Sequence, residues 1–331
     1  MRILIQGRNL TQYLAKCHEA LRTGLRRTYD ARCFGPGYPG YRPRFLVRDF
    51  PAMVRHVFPD GVPPDLVIAD SQYHLADPAF SYAGLRKLGG TRTCVIGDYW
   101  SIKGATRDRF VDIVQEEGLA AVIAYFPGAR AHFADTAIAG RIAWLPPCFD
   151  PQIFNDWRVA KRWDVGFLAA GTADPMPTVY PERIAIHQQL LRQGEFSYLW
   201  AKHPGWRERR LAHALVGKGF AQAIGSCRIF ITICGVHRHP QPKLFEALAS
   251  GPLVMSDEPE GAAELGLVDG RTYVRIDPSD VMDKIRHYLS HSEELLRIAA
   301  AGHALAIERH SCYARAKDLP AALRGLPPQG P

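Results

Sequence analysis

Gln241-Pro242-Lys243-Leu244-Phe245-Glu246-Ala247-Leu248-Ala249-Ser250-Gly251-Pro252-Leu253-Val254 reads as a loop, a short helix, a glycine stop and a strand. Glycine just past the last turn takes the left-handed conformation that ends a helix. A helix that feeds straight into an apolar strand is half of a βαβ unit in a parallel sheet. Its first turn presents free N–H groups and the positive end of its dipole, so Lys243 there suits a diphosphate. Glu246, one turn on, shares that face and suits the two hydroxyls of a ribose. Composition alone leaves an ordinary helix with a terminal glycine as the competing reading.

The same alternation runs outward in both directions. Downstream of Pro146-Pro147, strands are expected at 164–168, 198–200, 229–233, 252–255 and 272–274, with helices near 182–193, 208–222, 243–250, 281–289 and 292–309. Gly251 is placed as a helix stop and Asp280 as an N-cap. Upstream, strands are expected at 2–5, 66–69, 93–96, 121–124 and 142–145, and Leu14, Cys17, Leu21 and Leu25 recur at helical spacing. The pattern predicts an α/β chain with two Rossmann-like, doubly wound domains, the first spanning residues 1–150.

With 331 residues, 47% apolar and 22% charged, the composition is that of a globular chain and excludes a disordered one. No apolar run reaches the ~20 residues that span a bilayer, and the start Met1-Arg2-Ile3-Leu4-Ile5-Gln6-Gly7 turns polar too early for a signal peptide. Seven cysteines without a framework spacing read as reduced thiols, so a cytoplasmic protein is expected. The net charge of +8 falls mostly in residues 1–150, with 19 Lys and Arg against 14 Asp and Glu, compared with 22 against 19 in the rest. That excess suits an acidic acceptor or nucleic acid, although a solvated surface explains it equally well.

Ligands of doubly wound domains sit at the carboxyl ends of the strands, so residues just after strands are the candidates. In the first half these are Gly7, Arg8 and Asn9, then Asp70 and His74, then Asp98, Tyr99 and Trp100. Asp98 follows a strand directly and leads into a stretch from Tyr99 to Arg109 rich in aromatic, Lys and Arg side chains, suited to holding an acceptor. Gly35-Pro36-Gly37-Tyr38-Pro39-Gly40 fits G-x-G-x-x-G, but its prolines and the lack of a following helix rule out a dinucleotide turn. Cys227, Cys234, His237 and His239 lack zinc-site spacing and flank an expected core strand; the two histidines and Arg238 fit better as loop residues at a donor site.

The stretch at 241–254 resembles the donor-binding signature of GT-B glycosyltransferases, of the branch related to CgeB proteins and the group 1 glycosyl transferases. The resemblance extends through Trp163-Asp164-Val165-Gly166-Phe167-Leu168, Tyr180-Pro181-Glu182-Arg183, Ala262 to Asp280, and Ile298 to His310 near Arg315, covering about residues 160–316. It implies a GT-B fold, two domains facing an interdomain cleft, and transfer of a sugar from a nucleotide-diphosphate sugar, UDP-sugar favoured, to an acceptor hydroxyl. Residues 1–150 would then be the acceptor domain and 151–307 the donor domain, with 308–331 crossing back to the first domain and ending in a frayed tail. Donor binding falls to Lys243, Glu246, Arg183, Gly171, His237, Arg238, His239, Pro242 and Gly7, and acceptor binding to Arg8, Tyr99 and Trp100. Asp98 is the candidate base, with His74 in reserve. Many retaining GT-B enzymes carry a glutamate eight positions before the residue matching Glu246; here Arg238 stands there. No D-x-D occurs, so the expectation is that no metal or other cofactor is required. Rival expectations from the same fold are a nucleic-acid glycosyltransferase, a nucleotide-sugar epimerase or hydrolase, and a non-catalytic nucleotide-sugar-binding protein.

Overall fold

The computed structural model describes residues 1–9, 17–39, 41, 50–70, 90–169, 176–202 and 215–324. The chain divides into two compact units, one holding residues 18–146 with the N-terminal strand and the helix from Cys312, the other holding Pro147–Ser311. No helix among the described residues is long and apolar enough to cross a membrane.

The first unit is a six-stranded parallel sheet built from β1 (Arg2–Gln6), β2 (Asp30–Phe34), β3 (Leu66–Asp70), β4 (Thr91–Ile96), β5 (Ala121–Ala124) and β6 (Ile142–Trp144), in the order β2-β1-β3-β4-β5-β6. Its helices are α1 (Cys17–Thr28), α2 (Phe50–Val57), α3 (Ala105–Glu116) and α4 (Ala129–His132). The near-continuous apolar runs of β1, β3 and β5 are buried, as expected of strands with helices over both faces. Strand order reverses between β1 and β3, so their carboxyl ends flank a crevice where ligands of such sheets bind. A last helix, Cys312–Arg324, joins this unit: the Tyr29 hydroxyl donates to the Ala316 carbonyl at 3.3 Å. Only a glycine at position 24 permits that approach, because a Cβ there would overlap the Cys312 carbonyl.

The second unit is a five-stranded parallel sheet of β7 (Trp163–Ala169), β8 (Tyr198–Lys202), β9 (Cys227–Thr232), β10 (Leu253–Ser256) and β11 (Val274–Arg275), ordered β11-β10-β9-β7-β8, with its reversal between β7 and β9. Its helices continue as α5 (Met176–Val179), α6 (Pro181–Arg192), α7 (Gly217–Gly225), α8 (Pro242–Ala249), α9 (Val281–Ser290) and α10 (Ser292–Leu305), and the helix from Cys312 in the first unit becomes α11. Leu244, Phe245, Ala247, Leu248 and Ala249 are all buried, and each large side chain among them stabilises the unit by about 1.5–3 kcal/mol.

Several elements depart from the sequence reading. β2 was not anticipated: Asp-Ala-Arg-Cys-Phe is an edge strand with two exposed residues, so it lacks an apolar signature. The stretch 99–109 is a single turn of tight helix at Tyr99–Ser101 followed by the start of α3, where Arg109 pairs with Glu116. The closing helix stops at Leu305, passes through a π turn at Ala306–His310 and restarts as α11. Asp280 holds the N-cap position of α9, but its carboxylate accepts from the Asp277 N–H and pairs with Lys284 rather than capping the helix. Of the helix expected at 208–222, Gly217–Gly225 is described and 208–214 lie outside the described residues.

Candidate donor site and post-strand residues

In the second unit, Lys243 stands in the first turn of α8 and donates from Nζ to the Leu168 carbonyl at 2.7 Å. Leu168 is the second-last residue of β7, and α8 follows the loop that leaves β9, so the ammonium lies at the reversal of strand order. Desolvation pulls its pKa down to about 7, the nearby Arg183 charge adds to the fall, and Glu246 opposes it. Glu246 is partly buried; desolvation raises its pKa to about 7 and Lys243 counteracts. A lysine and a glutamate held near neutrality on one helix face can change charge when an anionic ligand arrives.

Arg183, in the first turn of α6, lies with Cζ 3.6 Å from the centre of the Tyr180 ring. Desolvation lowers its pKa, while Tyr180 and Asp257 act in the opposite direction. The loop after β9 carries His237, Arg238 and His239. The two imidazoles stack 5.2 Å apart, and His239, 1% exposed, is driven to about 3 by desolvation and by His237, so it stays neutral at physiological pH. Arg238 adopts a left-handed φ of 50° and donates to the carbonyl and carboxylate of Glu258 at 2.9 and 3.0 Å, bracing the β9 loop against the β10 loop. Pro242 opens α8 without an N–H to satisfy, leaving its turn free for Lys243. Gly171 lies outside the described residues.

In the first unit, Asp98 follows β4 and its side chain reaches solvent, yet the protein around it desolvates the carboxylate and raises its pKa to about 6. Tyr99 packs on the core with its ring 5.2 Å from His132, and Trp100 lies 6.0 Å from Phe126 at a tilt of 40°. Gly7 donates to the Phe34 carbonyl at 3.0 Å, and the Arg8 carbonyl accepts from Arg22, which also pairs with Glu19 at 2.7 Å. Gly35 and its neighbours form the turn that meets Gly7, not a phosphate loop. The side chain of Asp70, and His74 altogether, lie outside the described residues.

Two residues were missed. Asp257 directly follows β10, and the rule that post-strand residues face ligands would have found it. Gln6, 4% exposed at the end of β1, has a buried amide oxygen with no partner among the described residues. Cys227 opens β9 and Cys234 lies two residues past its other end, which separates the four residues considered for zinc. Among the described residues no group of three or more His, Cys, Asp or Glu is arranged to hold a metal ion.

Two parallel, doubly wound sheets in tandem are the architecture of the GT-B fold. The chain is similar over 98% of its length to Alr3699/HepE from Anabaena, solved in complex with UDP and glucose (14% identity, TM-score 0.60, 100% of that chain). It is likewise similar to a glycosyltransferase from Rickettsia africae (10% identity, TM-score 0.64) and to sucrose-phosphate synthase from Thermosynechococcus elongatus (11%, 0.61), with 98% of each chain covered. At such identities these likenesses show the fold. Residues 183–321 match the family described as glycosyl transferase-like, and the chain has the GT-B fold. No curated protein matches the sequence.

Proposed function

We propose that the chain transfers a sugar from a nucleoside-diphosphate sugar, a UDP-sugar by preference, to an acceptor hydroxyl, without a metal ion. The observation that carries this reading is the Lys243 ammonium at the β7/β9 reversal, with Arg183 close enough to perturb it and Glu246 one turn on. The diphosphate lies against Lys243, Arg183 and the start of α8, and Glu246 takes the ribose hydroxyls. His237, Arg238, His239 and the loop at Gly171 border the sugar. As the bond from the sugar's C1 to the phosphate oxygen breaks, its electron pair passes to the diphosphate, and preorganised cations there stabilise the transition state more than the ground state.

The acceptor reaches the donor from the first unit, with Gly7, Arg8, Tyr99 and Trp100 along its path. In an inverting reaction its oxygen bonds to C1 and gives its proton to Asp98, which at neutral pH is the ionised form a base requires. His74 is the alternative base. Residues 1–150 thus serve the acceptor and 151–307 the donor, with 308–331 returning to the first domain; Cys312–Arg324 clustering with the first unit supports that division. The UDP complex of the Anabaena neighbour supports the choice of base. The test is incubation with a panel of nucleotide sugars under excess chelator, with released nucleoside diphosphate as the readout. Release stimulated by an acceptor supports the reading. Conversion of donor to an isomeric nucleotide sugar without acceptor would replace it with an epimerase.

A further inference from the structure

Asp257 does none of the work assigned above, yet it is the best-connected carboxylate at the carboxyl edge of the second sheet. Its Oδ1 accepts the Cys234 N–H at 2.6 Å and the Ser256 hydroxyl at 3.1 Å, and its Oδ2 accepts the Gly235 N–H at 3.2 Å. Bonds of this kind to an ionised acceptor are about twice as strong as neutral ones. They join the end of β10 to the turn that leaves β9, two strands whose pairing stops at Ser256 and Thr232. Desolvation nevertheless raises the Asp257 pKa, so the carboxylate is held at a cost that its position must offset.

The turn it clamps reaches toward the donor site. Gly235 has a φ of 81°, and a Cβ there would stand 2.5 Å from the Val179 carbonyl and 2.6 Å from the Tyr180 ring. The next N–H, of Val236, donates to that same Val179 carbonyl at 2.9 Å. Tyr180 is therefore seated directly on the Cys234–Gly235 turn, and its other role is to carry the Arg183 guanidinium against its ring at 3.6 Å. A chain of short contacts leads from Asp257 to the turn, from the turn to Tyr180, and from Tyr180 to Arg183. The Asp257 charge also acts on Arg183, opposing the fall of its pKa.

We infer that Asp257 is a positioning residue for donor binding: through the Cys234–Gly235 turn and the Tyr180 ring it fixes the direction in which Arg183 presents its guanidinium to the diphosphate. This rests on the proposed function. Replacing Asp257 by Asn keeps the shape but turns an amide N–H₂ toward backbone N–H donors, so the turn loosens and Arg183 loses its counter-charge. Gly235→Ala breaks the same chain one link further on.

The experiment is a titration of UDP into wild-type protein, Asp257→Asn, Arg183→Met and the double variant, with thermal unfolding of each without ligand. The expected result is a roughly tenfold loss of UDP affinity in Asp257→Asn, a similar or larger loss in Arg183→Met, and little further loss in the double variant, because one residue acts through the other. Gly235→Ala should lose affinity to the same order while remaining folded. Full additivity of the two losses, or a fall in unfolding temperature with unchanged UDP affinity, would reduce Asp257 to a structural strap and overturn the inference. Failure of wild-type protein to bind any nucleoside diphosphate would sink the functional reading and the inference together, an outcome distinct from tight wild-type binding that Asp257→Asn leaves intact.

Discussion

The carboxyl edges of the two sheets are built in opposite ways. In the second unit Lys243 is tied to the Leu168 carbonyl, Arg238 to Glu258, and Asp257 to two backbone N–H groups and the Ser256 hydroxyl, so these charged side chains are held in place before any ligand arrives. Among the described residues of the first unit, the Asp98 carboxylate accepts no hydrogen bond and the buried Gln6 amide oxygen has no partner. A site whose groups are fixed in advance favours one constant ligand, as a nucleoside diphosphate is. Groups left unsatisfied fit a ligand that supplies the missing bonds on arrival. On the proposed function, the comparison assigns constancy to the donor half and acceptor choice to the other.

The largest effect is expected in the first unit. Asp98→Asn should lower the transfer rate by about 10²–10⁴-fold, the usual contribution of a general base, while UDP binding stays unchanged. The wild-type rate should rise with pH through about 6, where Asp98 loses its proton, and that limb should vanish in the variant. A retained rate would mark a reaction that needs no base and would shift the account toward the retaining outcome.

Next in size are the donor residues. Lys243→Ala and Glu246→Ala should each weaken UDP binding by about 1.5–3 kcal/mol, the range for a hydrogen bond to a charged group, with circular dichroism and unfolding temperature close to wild type. Equal affinity in both variants would remove the contrast between the two edges, because the second would then be bracing only. The smallest effect expected is that of excess EDTA on donor binding, namely none, since cationic side chains and helix N–H groups meet the phosphate charge. Loss of binding that returns on adding a divalent ion would contradict this.

What the sequence disclosed follows the same division. The helix of Lys243 and Glu246 was legible because a loop before it and a glycine after it mark its limits locally, and both residues lie on it; its start is one residue earlier, at Pro242. The partners of Arg238 and Lys243 were not, since Glu258 lies just past β10 and the Leu168 carbonyl in β7, and only the strand order brings them near. β2 escaped notice because an edge strand with alternating exposed residues carries no continuous apolar run. α3 did so because its Lys- and Arg-rich approach reads as a binding loop, whereas Arg107 and Arg109 are spent on Asp135 and Glu116. Asp257 went unremarked because its meaning lies in the backbone N–H groups it accepts, and those belong to the neighbouring strand's turn.

The central claim, that Lys243 receives the donor diphosphate, has a proton signature. With its free pKa near 7, Lys243 is largely neutral at pH 8, and a bound diphosphate would raise that pKa and draw a proton in. Affinity should therefore fall as pH rises above about 7, by at most tenfold per pH unit for one proton. The decisive measurement is calorimetric titration of UDP at pH 8 in buffers of differing ionisation enthalpy, on wild-type protein and Lys243→Ala. The account predicts uptake of close to one proton by the wild type and almost none by the variant. Equal proton uptake by both, with equal affinity, would contradict it.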